Sequence, residues 1–390
     1  MKNIGLLEYH YHSMFFYTMA RICKTKDTNV TLFTTNKIFS LMEKHLKTKD
    51  QYNIVLKGEN ESINSFLKRV EQTCNEEIDL LFINTIQESL KDLPHYFRFK
   101  PKCKTILTIH NVNAFLSKKI TINIKKPLRT LDTILSSIII QKNILPKFNG
   151  IVVYPSIKEY IVTNKMYSKE VFTLPFTFYD ENKSRKADKQ DKKIKFVVIG
   201  AIEKQRRDYD IVLDAFEKLF KKFPNDISLC LLGRPVGSYG QQVIRRCKKM
   251  KERGYNIQFF EEFVPEETFS KVLMESTVIL SPTKPETRGL GVIKETYGVS
   301  KASGALCEAI QNAKPSIVPS ELNIMKELRS STLKYDSQKR LHDVIENLIV
   351  DRGKLEDIKK EACKNSEHFS LDILQKYFTD EILNNIDNAS

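Results

Sequence analysis

Lys301, Ser303, Gly304 and Ala305 lie in the segment KETYGVSKASGALCEAIQNAKPSIVP, residues 294–319. Its pattern predicts a loop, then a helix that begins at the Ser-Gly pair, then a buried strand. The first turn of a helix has unpaired N–H groups and the positive end of the dipole, so it attracts anions. A serine cap, a glycine and a nearby lysine favour a phosphate group there. The alternative is an ordinary capped helix after a loop.

Glycines close two predicted strands further upstream, Gly200 in IKFVVIG and Gly233 in LCLLG. Nine of the 13 glycines lie between residues 200 and 304. Ligands of open α/β sheets bind at the carboxyl ends of strands, where such turns lie. Arg206 and Arg207 follow the first turn, and cations at the start of a helix oppose its dipole. This favours a diphosphate contact over a solvated helical turn.

Short apolar runs alternate with amphipathic stretches along the whole chain. The strand candidates of the first half are Asn3–Leu7, Val30–Phe33, Asp79–Ile83, Thr105–Ile109, Gly150–Tyr154 and Val171–Leu174. The same alternation restarts at Ile194 and continues to Val318. It predicts an α/β protein with two Rossmann-like, doubly wound parallel sheets.

A highly charged run, YDENKSRKADKQDKK at residues 179–193, separates the two halves. A chain of 390 residues also exceeds the usual size of a single core. We therefore predict an N-terminal domain over residues 1–185 and a C-terminal domain over residues 186–369. A last helix over residues 370–390 is predicted to cross back to the N-terminal domain.

The cysteine pattern and the N-terminus bear on the compartment. The seven cysteines form no CxxC pair and no zinc-like set with histidine, which predicts reduced thiols and no metal site. Glu8 and two histidines interrupt the first residues where a signal peptide would be apolar. No apolar run has the length of a membrane helix. These features predict a cytoplasmic protein.

The net charge of +15 is concentrated in one region. Residues 101–150 carry nine Lys or Arg against Asp132 alone, and long apolar side chains are interleaved with them. Such a segment, centred on residues 118–142, can lie on an anionic bilayer, which predicts peripheral contact with the inner membrane face. The alternative is a helix with a solvated face and a core face. No nucleic acid partner is expected, because no RNA-binding, zinc-finger or helix-turn-helix pattern occurs.

Several runs of the second half resemble, in the same order, the GT-B glycosyltransferases. These runs are VVIGAIEKQRRDYDIVLDAFEKL, LCLLGRP, IQFFEEFVPEETFSKVLMESTVILSPT and the segment described first. The likeness is greatest to the retaining family four, glycosyltransferase group 1, and covers most of residues 194–320. TILTIHN and IVVYPSIKEYI extend it loosely to the first half.

The resemblance implies a hexosyltransferase with two domains facing across a cleft, in polysaccharide or glycolipid biosynthesis. The C-terminal domain would hold a nucleotide-diphosphate sugar as donor substrate, without another cofactor, and the N-terminal domain a glycan or lipid-linked acceptor. Arg206 or Arg207 would grip the diphosphate, together with the helix start. The residues expected near the nucleoside are Gly233, Arg234, Val264 and Glu308, the last matching the second Glu of the family's paired-Glu motif. An ordinary helix acid is the alternative for Glu308.

The catalytic candidates are His110, Glu295 and Lys301. His110 ends a strand at the cleft position that contacts the transferred sugar in the family; a locally bonded strand-end histidine is the alternative. The family places seven residues between its two Glu, whereas Glu295 lies thirteen positions before Glu308. Either Glu295 still reaches the sugar, or Lys301 takes over its contacts.

The usual Gly-rich loop after the first strand is replaced by LEYHYHSMFFY. His10 and His12 are therefore candidates for the acceptor side, with a helix surface as the alternative. The resemblance implies retention of configuration, and fixed cations can stabilise the leaving diphosphate without metal. A metal-binding role for the triplet Asp208-Tyr209-Asp210 is less favoured, because acids suit a first helical turn. A nucleotide-sugar 2-epimerase, a non-catalytic sugar-nucleotide binder and a basic nucleic-acid binder remain as alternatives.

Overall fold

Two parallel β-sheets, one in each half of the chain, form the framework of the molecule. The computed structural model describes residues 1–46, 51–117, 127–181, 193–289 and 292–388. The first sheet has seven strands in the order β3-β2-β1-β4-β5-β6-β7, and the second has six in the order β10-β9-β8-β11-β14-β15. All pairings within both sheets are parallel, which confirms the predicted fold class.

The strands are short and mostly apolar. They are β1 (Lys2–Glu8), β2 (Thr28–Thr35), β3 (Tyr52–Lys57), β4 (Leu80–Ile83), β5 (Lys104–Thr108), β6 (Gly150–Val153), β7 (Glu170–Thr173), β8 (Ile194–Ile199), β9 (Ile227–Leu232), β10 (Ile257–Phe259), β11 (Val278–Leu280), β12 (Glu286–Gly289), β13 (Ile293–Thr296), β14 (Ser316–Pro319) and β15 (Thr332–Tyr335).

The helices connect and cover these strands. They are α1 (Ser13–Cys23), α2 (Asn36–Glu43), α3 (Ile63–Glu77), α4 (Val112–Leu116), α5 (Pro127–Ile139), α6 (Lys158–Thr163), α7 (Tyr209–Lys222), α8 (Gly237–Glu252), α9 (Glu266–Glu275), α10 (Gly304–Gln311), α11 (Gln338–Val350), α12 (Arg352–Glu367), α13 (Leu371–Tyr377) and α14 (Asn384–Asn388). None of the helices in these described ranges combines the length and the apolar character that crossing a bilayer requires.

The first sheet is buried on both faces. Leu7 and Leu81 pack into a core on one face, whereas Leu6 and Phe82 pack into a separate core on the other. Helices cover both faces of an all-parallel sheet, so its strands are apolar along their whole length rather than alternately. This burial explains why the apolar runs are recognisable in the sequence.

The strand order places a candidate site at the same point of each sheet. In the first sheet β1 lies between β2 and β4, and in the second β8 lies between β9 and β11. Connections leave these central strands in opposite directions, which opens a crevice beyond their carboxyl ends. The segments after β1, β4, β8 and β11 therefore have the positions from which side chains can reach a ligand.

A hairpin, β12 and β13, precedes α10 and differs from the predicted loop. Glu286 pairs with Thr296, and Thr287 pairs with Glu295, in antiparallel register. The prediction of a loop from residue 294 was therefore wrong for the first three residues. Loop and edge hairpin are hard to distinguish from sequence, because a two-stranded hairpin needs tertiary contacts for its stability.

The chain returns to its first half at the end. The Gln375 side-chain amide of α13 donates to the Arg21 carbonyl at 2.9 Å. Phe378, in the π-helical turn Phe378–Leu383, packs near Phe82 of the first sheet with ring centroids 5.9 Å apart. The C-terminal helices therefore cover the N-terminal sheet.

Candidate functional site

The turns after β8 and β9 touch through their backbones. A Cβ atom at Gly233 would lie 2.1 Å from the Gly200 carbonyl oxygen, so only glycine fits there. Gly200 has a φ of 99°, a conformation that other residues rarely adopt. The two glycines that the sequence singled out thus let the two turns pack directly against each other at the sheet edge.

Arg206 and Arg207 follow this turn and differ in burial. The Arg207 guanidinium lies over Gly200, and its Nη1 donates to the Ala201 carbonyl at 3.2 Å. Its Nε is buried without a hydrogen-bond partner. Arg206 is exposed and pairs with Glu203 at 2.7 Å. Arg207 is therefore the better placed of the two to donate to a ligand at the turn.

Helix α10 begins where the sequence predicts. Ser303 is its N-cap residue, but the serine side chain makes no capping hydrogen bond. A Cβ built on Gly304 would meet no atom within 4 Å, whereas Ala305 is buried behind it. The start of the helix therefore faces open space, and an anion has room to approach its N–H groups.

Lys301 joins the two halves of the molecule. Its ammonium group donates to the Asn111 side-chain oxygen at 2.6 Å, and the two residues also form a backbone bridge. Burial is the main cause that lowers the pKa of Lys301, and the positive charge of Arg206 lowers it further. Glu295 and Glu88 oppose this shift. The cation thus lies close to other charges of both signs.

The nucleoside candidates occupy three positions in the second half. Arg234 is exposed, and its carbonyl accepts the Ile202 N–H at 2.9 Å beside the Gly233 turn. Val264 is buried in a small core with Ala305 of α10. Glu308 is half-buried in α10, and its Oε2 accepts the Asn312 amide at 3.3 Å.

The segment after β1 carries a buried carboxyl group. Glu8 Oε1 accepts the His10 backbone N–H at 2.7 Å, and its Oε2 accepts the Thr85 hydroxyl at 2.5 Å. Burial raises the pKa of Glu8 to about 7, although these hydrogen bonds oppose the shift. The carboxyl group therefore organises the turn that holds the histidines.

The two predicted acceptor-side histidines point to different surroundings. His12 stacks on His110 with ring centroids 4.2 Å apart and an interplanar angle of 20°. His10 lies instead against Tyr9, and its Nε2 is buried without a partner. The structure thus brings His12, and not His10, beside the catalytic candidate His110.

The stacked pair is uncharged at neutral pH. Burial lowers the pKa of His110 well below its usual value, and the adjacent His12 adds to the shift. Burial and then the Lys301 charge lower the pKa of His12 to about 4. His110 Nε2 lies 3.1 Å from the Asn84 carbonyl, to which a neutral imidazole donates. These rings can therefore orient polar groups but carry no charge.

Glu295 caps a helix of the other half. Its Oε1 accepts the Ala114 N–H of α4 at 3.1 Å, whereas its Oε2 is buried with no hydrogen-bond partner in the described part of the chain. Burial raises the pKa of this carboxyl group to about 7. The Asn113 amide donates to the Lys294 carbonyl at 2.8 Å and reinforces the contact. Glu295 and Lys301 thus reach the same helix start, next to His110.

Asn111 and Glu88 were missed by the sequence interpretation. Asn111 accepts from Lys301 and donates through Nδ2 to Glu88 Oε1 at 3.2 Å, so it connects a cation to a carboxylate. Asn111 directly follows His110 at the end of a strand, which was a usable signal. Glu88 lies in the connection after β4, where only the sheet order reveals its proximity to the cleft.

The Asp208-Tyr209-Asp210 triplet has structural partners. Asp208 is the N-cap of α7 and accepts the Ile211 N–H at 3.3 Å. Asp210 accepts the Tyr239 hydroxyl at 3.1 Å. Both acids therefore stabilise the helix start, as the less specific interpretation of the triplet expects.

Comparisons with known proteins give structural but no sequence matches. No protein-family model and no curated protein sequence matches the chain. Anabaena HepE in complex with UDP is 12% identical, with a TM-score of 0.63, over 98% of this chain and 100% of that chain.

Two further solved structures are similar over their whole length. The N-terminal domain of Candida albicans trehalose-6-phosphate phosphatase is 11% identical, with a TM-score of 0.58, over 100% of this chain and 97% of that chain. The UDP-GlcNAc 2-epimerase of Neisseria meningitidis, bound to UDP-GlcNAc, is 13% identical with a TM-score of 0.53, over 98% of this chain and 100% of that chain. The chain therefore has the GT-B fold of glycosyltransferase-like proteins, with two Rossmann-like domains.

Proposed function

We propose that this protein transfers a hexosyl group from a nucleotide-diphosphate sugar to a glycan or lipid-linked acceptor. The observation that carries the proposal is the gathering of Arg206, Arg207 and Lys301 at one edge of the second sheet. Arg207 forms a backbone bridge with Thr283, and the Arg206 carbonyl accepts the Lys284 N–H at 2.9 Å. The next residue, Pro285, accepts the Tyr297 N–H at 2.9 Å, and Tyr297 forms a backbone bridge with Lys301, so the segments that carry the three cations adjoin. Like charges held together repel, and a diphosphate would relieve that repulsion.

The backbone supports the same ligand. The open start of α10 lies next to the Gly200 and Gly233 turns, because Ala305 packs in one core with Ile199 and Leu232, and its N–H groups suit phosphate oxygens. Anabaena HepE, which shares the fold, has been solved with UDP and with UDP-glucose. A uridine or guanosine diphosphate sugar is accordingly the donor class that we propose, with Gly233, Arg234, Val264 and Glu308 beside its nucleoside.

The proposed chemistry follows from fixed charges. The bond between the sugar and the nucleoside diphosphate breaks, the acceptor oxygen bonds to the sugar in its place, and the acceptor hydroxyl gives its proton to the leaving phosphate oxygen. Arg207, Lys301 and the N–H groups of α10 stabilise the charge that develops on the leaving diphosphate. The neutral His110 orients the sugar from the other side of the cleft, and His12 and His10 line the acceptor side. By the family resemblance, we propose retention of anomeric configuration.

A donor screen tests the proposal. Thermal unfolding is measured with millimolar UDP, GDP and their sugars, and diphosphate release is then followed with each donor that binds. We expect at least one nucleotide to raise the melting midpoint, since a ligand that binds only the folded state stabilises it. The absence of any shift would contradict the proposal. If the only product is epimerised or hydrolysed donor, the 2-epimerase alternative is favoured. If a nucleotide sugar binds but is not turned over, a non-catalytic protein is favoured.

Helix α5 supports peripheral contact of this protein with an anionic membrane. Four apolar side chains form an exposed stripe along it: Leu128, Leu131, Leu135 and Ile138. Their spacing of three or four residues places them on one face. Arg129 lies in the same helix, and the preceding lysines of the basic segment, residues 118–126, lie outside the described residues. Such a combination of apolar and basic groups binds the surface of anionic bilayers.

Liposome flotation tests this contact. The double variant Leu131→Glu/Leu135→Glu should lose binding to vesicles that contain phosphatidylglycerol. Val350→Glu, an equally simple change at an exposed apolar residue of α11, should bind as wild type does. Equal flotation of all three proteins would argue against a membrane role for α5.

A further inference from the structure

The inner face of α5 is polar although it is buried. Its buried residues are Thr130, Thr133, Ser136 and Ser137, whereas four of its large apolar residues, Leu128, Leu131, Leu135 and Ile138, are exposed. A helix that packs on a core normally shows the opposite arrangement. Hydroxyl groups in such a position need partners, because burying one without a hydrogen bond costs free energy.

A small cavity of about 40 Å³ lies under this face. Three hydroxyl residues of α5, Thr133, Ser136 and Ser137, line it together with Glu88, Asn111 and Glu295, and its apolar lining residues are Ala114, Ile140 and Ile293. Asn111 also binds Lys301, so the cavity is one hydrogen bond away from the cationic group of the cleft. The cavity thus adjoins the proposed donor site from the acceptor side.

Two buried polar atoms of this cavity have no hydrogen-bond partner among the residues that the structure describes. These are the Ser136 Oγ and the Glu295 Oε2, and both residues are at most 2% exposed. The other hydroxyls are satisfied: Thr133 donates to the Arg129 carbonyl at 2.8 Å, and Ser137 accepts the Gln141 amide at 3.2 Å. Unpaired buried groups that line one cavity are the arrangement that a polar ligand completes.

The chemistry of the lining selects the ligand. Carboxyl groups accept the hydrogens of hydroxyl groups, and the serine hydroxyl can donate in return. No lysine or arginine of the described residues lines the cavity, so the lining offers a phosphate or carboxylate no positive charge by direct contact. The volume suits one hydroxyl or hydroxymethyl group, since a single water needs roughly 10–15 Å³ of such space.

We propose that this cavity is a subsite for a hydroxyl or hydroxymethyl group of a neutral saccharide acceptor, held by Ser136, Glu295 and Glu88. The proposal rests on the proposed function, because it assigns the acceptor class of the same reaction. The subsite would accept a neutral sugar in preference to a phosphorylated or acidic one. Both carboxyl groups act on the acceptor by direct contact, and Asn111 positions Glu88.

Saccharide binding to the full chain, saturated with UDP, tests the proposal. Saturation-transfer NMR is recorded with the methyl glycosides of glucose, galactose and mannose, and with glucuronic acid and glucose 6-phosphate as anionic comparisons. We expect binding of at least one neutral glycoside and of neither anion. Ser136→Val, which fills the cavity and removes the hydroxyl, should weaken that binding by about tenfold or more, as should Glu88→Gln.

Thr130→Val is the matched control, because Thr130 is buried on the same face of α5 but does not line the cavity. It should bind the glycoside as wild type does, and all variants should keep their UDP affinity. Glu88→Gln keeps a side-chain oxygen that can accept the hydrogen bond from Asn111 Nδ2, so it tests the subsite even if Ser136→Val does not fold. Failure of wild type to bind either UDP or GDP would contradict the proposed function itself. The subsite would be overturned if wild type binds UDP but no neutral glycoside. It would also be overturned if Ser136→Val and Glu88→Gln both leave glycoside binding unchanged.

Discussion

The two walls of the cleft are built differently. The edge of the second sheet consists of glycine turns, a helix start and cations, with the Arg207 guanidinium over Gly200. The edge of the first sheet is filled with titratable side chains: Glu8, His10, His12, Glu88 and His110, joined by Glu295 from the hairpin. Burial lowers the pKa values of the histidines and raises those of the carboxyl groups.

This difference suggests a division of labour. A diphosphate is the same in every donor, so backbone N–H groups and fixed positive charges suffice to hold it. An acceptor varies in its hydroxyl groups, and hydrogen bonds from side chains discriminate among them more sharply than apolar contacts do. Variants that affect one wall and not the other can therefore break or sharpen the comparison.

The largest effect is expected at the glycine turn. Gly233→Ala would place a Cβ 2.1 Å from the Gly200 carbonyl oxygen, so both turns must move. We expect a loss of about 1–3 kcal/mol in the free energy of unfolding, as for other overpacked sites. Urea unfolding measures it, and Gly304→Ala is the control because its Cβ meets open space. Equal stabilities of the two variants would show that the turns are not tightly packed.

Lys301→Ala should have the next largest effect, which is a loss of affinity for UDP. A charge-assisted hydrogen bond contributes about 1.5–3 kcal/mol, so UDP affinity should fall roughly 10- to 100-fold. Uridine lacks the diphosphate, and its affinity should not change. Isothermal titration of both ligands measures the difference, with the exposed Lys294→Ala as control. A similar loss for uridine and UDP would mean that Lys301 supports the fold rather than the diphosphate.

Glu295→Gln should change how stability depends on pH. The pKa of Glu295 is about 7 in the folded protein against 4.5 as its ordinary value, so the folded state binds the proton more tightly. Wild type therefore loses stability as the pH rises from 4.5 to 7, by up to about 3 kcal/mol at roughly 1.4 kcal/mol per pKa unit.

The amide variant cannot lose this proton. It should thus be more stable than wild type at pH 8 and nearly equal to it at pH 4.5, as measured by urea unfolding at both pH values. Glu8 has a similar shift, so some pH dependence should remain in Glu295→Gln. A constant difference between the two proteins at both pH values would show that the carboxyl group of Glu295 is not desolvated.

Asp208→Ala should have the smallest effect. It removes the N-cap of α7, which typically costs about 1 kcal/mol. UDP affinity, with and without magnesium, should stay as in wild type. Asp210→Ala is the companion variant, because Asp210 accepts a hydrogen bond from Tyr239 at the same helix start. A selective loss of magnesium-dependent binding in Asp208→Ala would restore the metal interpretation of the triplet.

Much of the fold was predictable because parallel strands buried on both faces are apolar throughout. The strand predicted at Asp79–Ile83 is observed at Leu80–Ile83, and Ser303 is the N-cap that its residue type indicates. The hairpin at Glu295 was not predictable, since its pairing is supported by α4 from the other half of the chain. The separation of His10 from His12 depends on how one turn leaves β1.

The sequence by itself determined the parallel α/β framework, the glycine turns of the second sheet and the cations beside them. These features depend on local patterns: apolar runs, glycines where the backbone needs a positive φ, and capping residues. Only the tertiary structure decided that Glu295, Asn111 and Glu88 meet around Lys301, and that α5 turns its hydroxyl groups inward. Such contacts join residues far apart in the chain, and burial, which sets their pKa values, exists only once both halves have packed together.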